Sequence, residues 1–332
     1  MGAYWSWSDN CNNSYTFAVC IPEQQYSGES GSRCCKGVRP MEKMYCKCPH
    51  ILCSVHGNCR KCIEKNIEEK SVCYCMEHNA ELLGAKLPGK FPVTEIYDSE
   101  KDMSRRCAEL VKETLEKKPD ALLCFPAGMT VVKTCEILKE MQDKGEIDFS
   151  KAKFVSLDEW LDLEDESENC THFLHKHLYG PLGIKEEQMT LFDVHATDLE
   201  AECKRIDQFI FDNGHIDLML LGMGMNGHLG LNEPGDNFED YAKVVQLSET
   251  TMQVGQKYFS DGMKLTRGIT LGIHHIFETK KVILQICGKH KAEAVNKLYQ
   301  TRPTMDFPAS ALKLMEDARI ILDYDAAAGI LK

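Results

Sequence analysis

The sequence predicts an α/β protein: a mostly parallel sheet with helices on both faces, in a Rossmann-like three-layer α/β/α arrangement, preceded by a small cysteine-rich segment. Two observations carry this. From about residue 92 onward, apolar runs of strand length alternate with longer segments whose apolar residues recur every three or four positions. Such alternation is what parallel strands joined by crossover helices produce. In addition, 43% hydrophobic against 27% charged residues over 332 positions supply enough apolar surface for a sizeable core.

The predicted strands, in order, are Val93–Tyr97, Ala121–Pro126, Phe154–Leu157, Ile216–Leu221, Ile269–Ile273, Val282–Cys287 and Ile320–Leu322. Each is a short apolar run, as expected of strands buried on both faces. The predicted helices are Lys101–Lys117, Thr130–Lys144, Leu199–Asn213 and Lys291–Tyr299. In this architecture ligands bind beyond the carboxyl ends of the strands, so the loops that follow strands are where chemistry is expected.

The first part of the chain reads differently. Eleven of the 17 cysteines lie between Cys11 and Cys75. Residues 1–40 mix polar and aromatic side chains without period and read as a loosely ordered leader. Residues 41–88 read as a cysteine-rich module, and the Pro-Gly breaker at Pro88-Gly89 sets the boundary with a domain over 89–332. Within the module, Cys53, His56, Cys59 and Cys62 have the spacing of tetrahedral zinc ligands, with Cys46, Cys48, Cys73 and Cys75 as members of a second or shared site. Disulfides and unligated thiols are the competing readings. The block resembles short modules with a Cys-x-x-His-Gly-x-Cys-x-x-Cys core.

A net charge of −12 argues against a general nucleic-acid binder. The sequence holds no apolar run of spanning length, and Met1 to Cys20 lacks a signal-peptide layout, so a soluble cytoplasmic protein with no membrane partner is expected. Gly2 and Ser6 fit a myristoylation pattern too short to carry weight.

Three loops stand out. After the second strand, Phe125-Pro126-Ala127-Gly128-Met129-Thr130 enters a helix, where free N–H groups and the helix dipole suit a phosphate; Thr130 could equally be a plain cap. After the third strand, Asp158-Glu159 offers paired carboxylates for acid–base work or for starting a helix. After the Ile216–Leu221 strand, residues 222–235 (GMGMNGHLGLNEPG) place five glycines around His228 and Glu233, a base that titrates near neutrality and a carboxylate able to orient it. The plainer reading of His228 is a hydrogen-bonded core histidine.

Residues 154–163 (FVSLDEWLDL), 216–235 (IDLMLLGMGMNGHLGLNEPG) and 267–273 (RGITLGI) resemble, in order and spacing, the amino-sugar-phosphate deaminase and isomerase family typified by glucosamine-6-phosphate deaminase, most closely its galactosamine-6-phosphate isomerase branch. The resemblance implies an enzyme that opens a hexosamine 6-phosphate, moves a proton from C2 to C1 and releases ammonia, with no cofactor for catalysis. It implies Asp158 as the base, His228 as the ring-opening group, and Glu233 as its orienting carboxylate with Asn226 beside it. It also implies Gly128, Met129 and Thr130 as the phosphate loop, and Lys291 and Lys257 as its cations. Asn226 stands where the glucosamine branch has aspartate, Ala127 where threonine is usual, and Val131 where proline is usual. Acidic Gly235 to Asp240 replaces the basic segment of effector-regulated members, so no such regulation is expected. Alternatives are a sugar-phosphate sensor with a weakened site and a 6-phosphogluconolactonase, which shares the fold. A sugar phosphate is the expected ligand, and the acidic surface leaves room for a homo-oligomer.

Overall fold

The structure, a computed structural model, describes residues 92–248, 251–252, 265–315 and 317–331. The leader, the cysteine-rich module with its eight candidate ligands, and the boundary at 88/89 lie outside the described residues.

The elements run β1 (Val93–Tyr97), α1 (Glu100–Lys117), β2 (Leu122–Phe125), α2 (Met129–Asp143), β3 (Lys153–Ser156), β4 (Asp158–Leu161) and α3 (Cys170–Leu174). The α3 helix continues through a π turn (His175–Tyr179) to Leu182. After it come β5 (Met189–Thr190), α4 (Leu199–Asp212), β6 (Leu218–Leu221), β7 (Lys243–Gln246), β8 (Arg267–Thr270), α5 (Ile273–Glu278), β9 (Val282–Ile286) and α6 (Ala292–Gln300). A 3₁₀ segment (Pro308–Leu314), β10 (Ala318–Asp323) and α7 (Tyr324–Ala327) close the chain.

Seven strands form one parallel sheet in the order β1-β10-β9-β6-β2-β3-β5. Every residue of β2, β6 and β9 is buried, because alternate side chains enter two different cores. Leu122 and Cys124 face a core closed by Ile206 and Ile210 of α4 and Val295 and Leu298 of α6. Leu123 and Phe125 face the other, closed by Leu110 and Val111 of α1, Ile137 and Leu138 of α2, and Leu178 and Tyr179 of the π turn. This is the three-layer arrangement the alternation predicts.

Helix starts follow local chemistry. The Ser99 side chain accepts from Asp102 N at 3.2 Å at the head of α1, and Asp198 accepts from Glu200 N and Ala201 N, both at 3.0 Å, at the head of α4. No side chain caps α2, whose N-cap is Gly128. Thr130 therefore does not serve as the cap that the sequence left open.

The expected strand Ile269–Ile273 is corrected. Arg267–Thr270 belongs to a second, three-stranded antiparallel sheet in the order β4-β8-β7, and Ile273 begins α5. The reason lies in the chain path at Leu157. Past β3 the backbone leaves the large sheet and becomes β4, Leu157 O accepts from Leu271 N at 2.8 Å, and β8 pairs with β4 instead of joining the parallel set. The Asp158-Glu159 pair is correspondingly in a strand, not in a loop or at a helix start.

Gly272 sits where β8 gives way to α5, tight against the segment leading into β7. A Cβ there would lie 1.9 Å from Asp240 O and 2.3 Å from Tyr241 O, both backbone atoms that cannot swing aside. Gly272→Ala is therefore expected to destabilise the protein by about 1–3 kcal/mol, the usual cost of overpacking, lowering the midpoint in thermal denaturation by several degrees. An unchanged midpoint would show that this contact yields freely.

Candidate active site

Four segments that follow strands of the parallel sheet meet at its carboxyl edge: Pro126–Val131 after β2, Leu157 and Asp158 after β3, the glycine-rich segment after β6, and Lys291 after β9. With Trp160, Thr251, residues 167–170, His172, Phe173, Lys176 and His177, they line one cavity of about 550 Å³. Asp158, His228, Gly128, Met129, Thr130 and Lys291, each singled out in the sequence, all border it. Asn226 and Glu233 stand behind His228, and Lys257 lies outside the described residues.

The Gly128 turn is held from below. Gln285 of β9 is fully buried, donates to Thr130 O at 2.9 Å and accepts from the Thr134 hydroxyl at 2.9 Å, which fastens the first turns of α2 to the sheet. With no side-chain cap bonded to its first turn, α2 presents its N-terminal dipole to the cavity. Asp323 accepts from Gly288 N at 3.0 and 2.9 Å and so sets the turn that carries Lys291, whose Nζ donates to Met223 O at 2.7 Å. Burial lowers the Lys291 ammonium below its ordinary range.

Strand alternation separates the two carboxylates. Asp158 borders the cavity, while Glu159 is 1% exposed and turns the other way. Glu159 accepts from Trp160 N at 2.8 Å, Cys170 N at 2.9 Å and Thr171 N at 2.7 Å, so it caps the first turn of α3 from a strand eleven residues upstream. Asn169 completes the cap by accepting from His172 N at 2.7 Å. Burial pushes the Asp158 carboxyl from its ordinary 3.8 up to about 7, and the Glu159 charge pushes the same way.

His228 is oriented by a chain of hydrogen bonds. Asn226 Nδ2 donates to Glu233 Oε2 at 2.9 Å, which turns the amide oxygen toward His228 Nδ1 at 2.7 Å. An amide oxygen only accepts, so Nδ1 carries the proton and Nε2 keeps its lone pair. The Thr251 hydroxyl lies 3.2 Å from the same Nδ1. Glu233 thus acts on the histidine through Asn226, not by direct contact, and its Oε1 is buried without a hydrogen-bond partner. Burial lowers the imidazole below its ordinary value; the Glu233 charge opposes this and Lys291 adds to it. The ring packs over Gly224, where a Cβ would come within 2.2 Å of it.

Sequence reasoning missed Thr251, Gln285, the capping role of Glu159, and the wall formed by residues 167–177. His172, Phe173, Lys176 and His177 repeat at helical spacing, the only signal that could have shown the last. Among the described residues no group of three or more His, Cys, Asp or Glu is arranged to hold a metal ion, and no helix is long and apolar enough to cross a membrane.

A parallel sheet that gathers a carboxylate near neutrality, an oriented histidine and an uncapped helix start at its carboxyl edge has the layout of an α/β enzyme. The chain belongs to the glucosamine-6-phosphate isomerase/6-phosphogluconolactonase family, whose model matches residues 97–321. It is 40% identical over 232 residues to a glucosamine-6-phosphate deaminase of Bacillus pumilus, covering 69% of this chain and 96% of that one. It is 35% identical over 243 residues to a putative deaminase, AgaI, of Escherichia coli, covering 72% and 96%. Its structure superposes on that of a monomeric glucosamine-6-phosphate deaminase with a TM-score of 0.68 and 34% identity, over 71% of this chain and 99% of that one. The likeness to 6-phosphogluconolactonase from Trypanosoma brucei, at 18% identity and a TM-score of 0.57, is one of fold.

The raised Asp158 carboxyl has a consequence for stability. Below its ordinary value of 3.8 it is protonated in folded and unfolded chains alike; between there and about 7 the unfolded chain ionises while the folded one resists. The native protein loses stability as pH rises through that window, and the deficit is constant above it. Asp158→Asn removes the deficit, so its gain in melting temperature over the parent should be small at pH 4, grow to pH 7 and then level off. A gain that does not vary with pH would mean that Asp158 is not held in the neutral form.

Proposed function

We propose that this protein converts a hexosamine 6-phosphate, glucosamine or galactosamine 6-phosphate, to the corresponding ketohexose 6-phosphate and ammonia. The observation that carries this reading is the single cavity bordered by Asp158, His228, Lys291 and the Gly128 turn. Relatives named glucosamine-6-phosphate deaminase, at 36–40% identity, support the substrate class.

In this reading the sugar's phosphate lies against the N–H groups at Gly128, Met129 and Thr130, with Lys291 as a cation; the family resemblance adds Lys257, which lies outside the described residues. Opening the ring requires the anomeric hydroxyl to lose a proton and the ring oxygen to gain one. Nε2 of His228, left basic by the Nδ1 bond to Asn226, relays that proton. Asp158 then takes the C2 proton and returns it to C1. The substrate ammonium gives up one proton and the C1 oxygen gains one, so the aldehyde becomes a C1 alcohol and the amine-bearing C2 an iminium; water adds at C2 and ammonia leaves, giving the ketone. Every proton removed is returned or balanced by water, so the steps consume no oxidant or reductant. A carboxyl near 7 suits a group that must accept and give back one proton within a turnover. Asn226 lends the imidazole an amide dipole, where a carboxylate would raise its basicity, while Glu233 fixes the amide's orientation.

Ammonia release from each of the two hexosamine phosphates is the direct test, and binding without turnover would favour a sensor. Asp158→Asn is expected to lower kcat by about 10²- to 10⁴-fold, the range for a lost general base, without loss of phosphate binding. Since Asp158 must be ionised to act, kcat/KM should fall as pH drops below about 7. Full activity in the Asn variant, or an acid limb positioned near 4, would remove Asp158 from the role.

A further inference from the structure

The wall of the cavity contributed by α3 and its π turn has no part in the chemistry above, yet it carries His172, Lys176 and His177 onto the same cavity as the Gly128 turn. We infer that Lys176 and His177 form a second cationic arm for the phosphate, closing on it from the α3 side while the α2 turn and Lys291 hold it from the sheet side. This rests on the sugar-phosphate reading and adds to it the residues that complete anion recognition.

Charge balance motivates the arm. A phosphate monoester near neutrality carries about −1.5 to −2. Lys291, the one lysine of the sheet-side segments that border the cavity among the described residues, already donates to the Met223 carbonyl and is desolvated. The backbone N–H groups of the Gly128 turn carry no full charge, so each further cation brought to a dianion moved out of water adds to its stabilisation. Lys176 brings an ammonium and His177 an imidazole to the α3 side of the same cavity, each able to meet a phosphate oxygen.

The fold holds this arm in place. The π turn packs Leu178 and Tyr179 into the core shared with Ile137 and Leu138 of α2, and Gln142 of α2 donates to Leu182 O at 3.0 Å. His177 therefore rides on the helix whose first residue belongs to the Gly128 turn. Its ring lies 4.5 Å from that of Phe173, and it feels the Glu136 charge on the second turn of α2. Burial and the adjacent Lys176 lower the His177 imidazole, and the Glu136 charge opposes this. At the other end Glu159 and Asn169 cap α3, so the wall is anchored at both ends. Local π winding is frequent at functional sites, where it offsets side chains from the regular helical register.

The test is a calorimetric titration of the full-length protein with inorganic phosphate, paired with steady-state kinetics on the hexosamine phosphate. The double variant Lys176→Gln, His177→Gln should raise the phosphate Kd and the substrate KM together by roughly tenfold or more, the scale of one charge-assisted hydrogen bond, with kcat within about twofold, the signature of lost uniform binding. Lys176→Glu should weaken phosphate more than Lys176→Gln, and it serves alone if the double variant does not fold. Lys139→Gln, on the exposed side of α2 and paired with Asp143, should change neither constant. An unchanged phosphate Kd in folded Lys176→Glu would overturn the proposal. Phosphate binding does not depend on turnover, so a parent protein that releases no ammonia would defeat the functional reading while the titration still judges the arm.

Discussion

One buried carboxylate ties the site together. Glu159 is 1% exposed and satisfies three backbone N–H groups, one on its own strand and two at the head of α3. A buried carboxylate is tolerated only when its lone pairs are matched, and here the match spans two elements. Because neighbours on a strand point to opposite sides, the bond that anchors α3 also fixes which way Asp158 looks. The desolvation and the adjacent negative charge that lift Asp158 toward neutrality arise from the same arrangement. Support and chemistry are adjacent residues with separate tasks.

The histidine is governed from a greater distance. Glu233 and His228 are joined through an amide whose two ends are not interchangeable: the NH₂ end must meet the carboxylate, so the oxygen must meet the imidazole. The sequence could show that a histidine and an acid share a glycine-rich segment, but not that the asparagine between them carries the orientation. The glycines have a visible use at Gly224, where the ring lies too close for any side chain.

The parallel sheet was legible because its central strands are buried on both faces and read as unbroken apolar runs, as in Leu122–Phe125 and Val282–Ile286. The second sheet was not. Asp158–Leu161 is four residues long and begins with two acids, and Lys243–Gln246 is half-buried with a charge at one end, so neither has a strand signature. Ile269–Ile273 had the signature, but only Ile269 and Thr270 of it lie in β8, and nothing in the run showed which sheet it would join, a choice made by the backbone at Leu157. Of the site, the residues in unusual local sequence were found, while Thr251, Gln285 and the cationic face of α3 were not. Their partners are distant in sequence: Gln285 reaches Thr130 across 155 residues.

Asp158 and His228 are borne by different sheets, one on the first residue of β4 and the other on a loop leaving β6. The seam between those sheets includes the bond from Leu271 N to Leu157 O and the tight passage of Gly272 beneath residues 240 and 241. The carboxylate and the imidazole are therefore mounted on separate plates riveted along one line. Any slackening of that line would be felt first as lost reach between the two groups, long before either plate came apart.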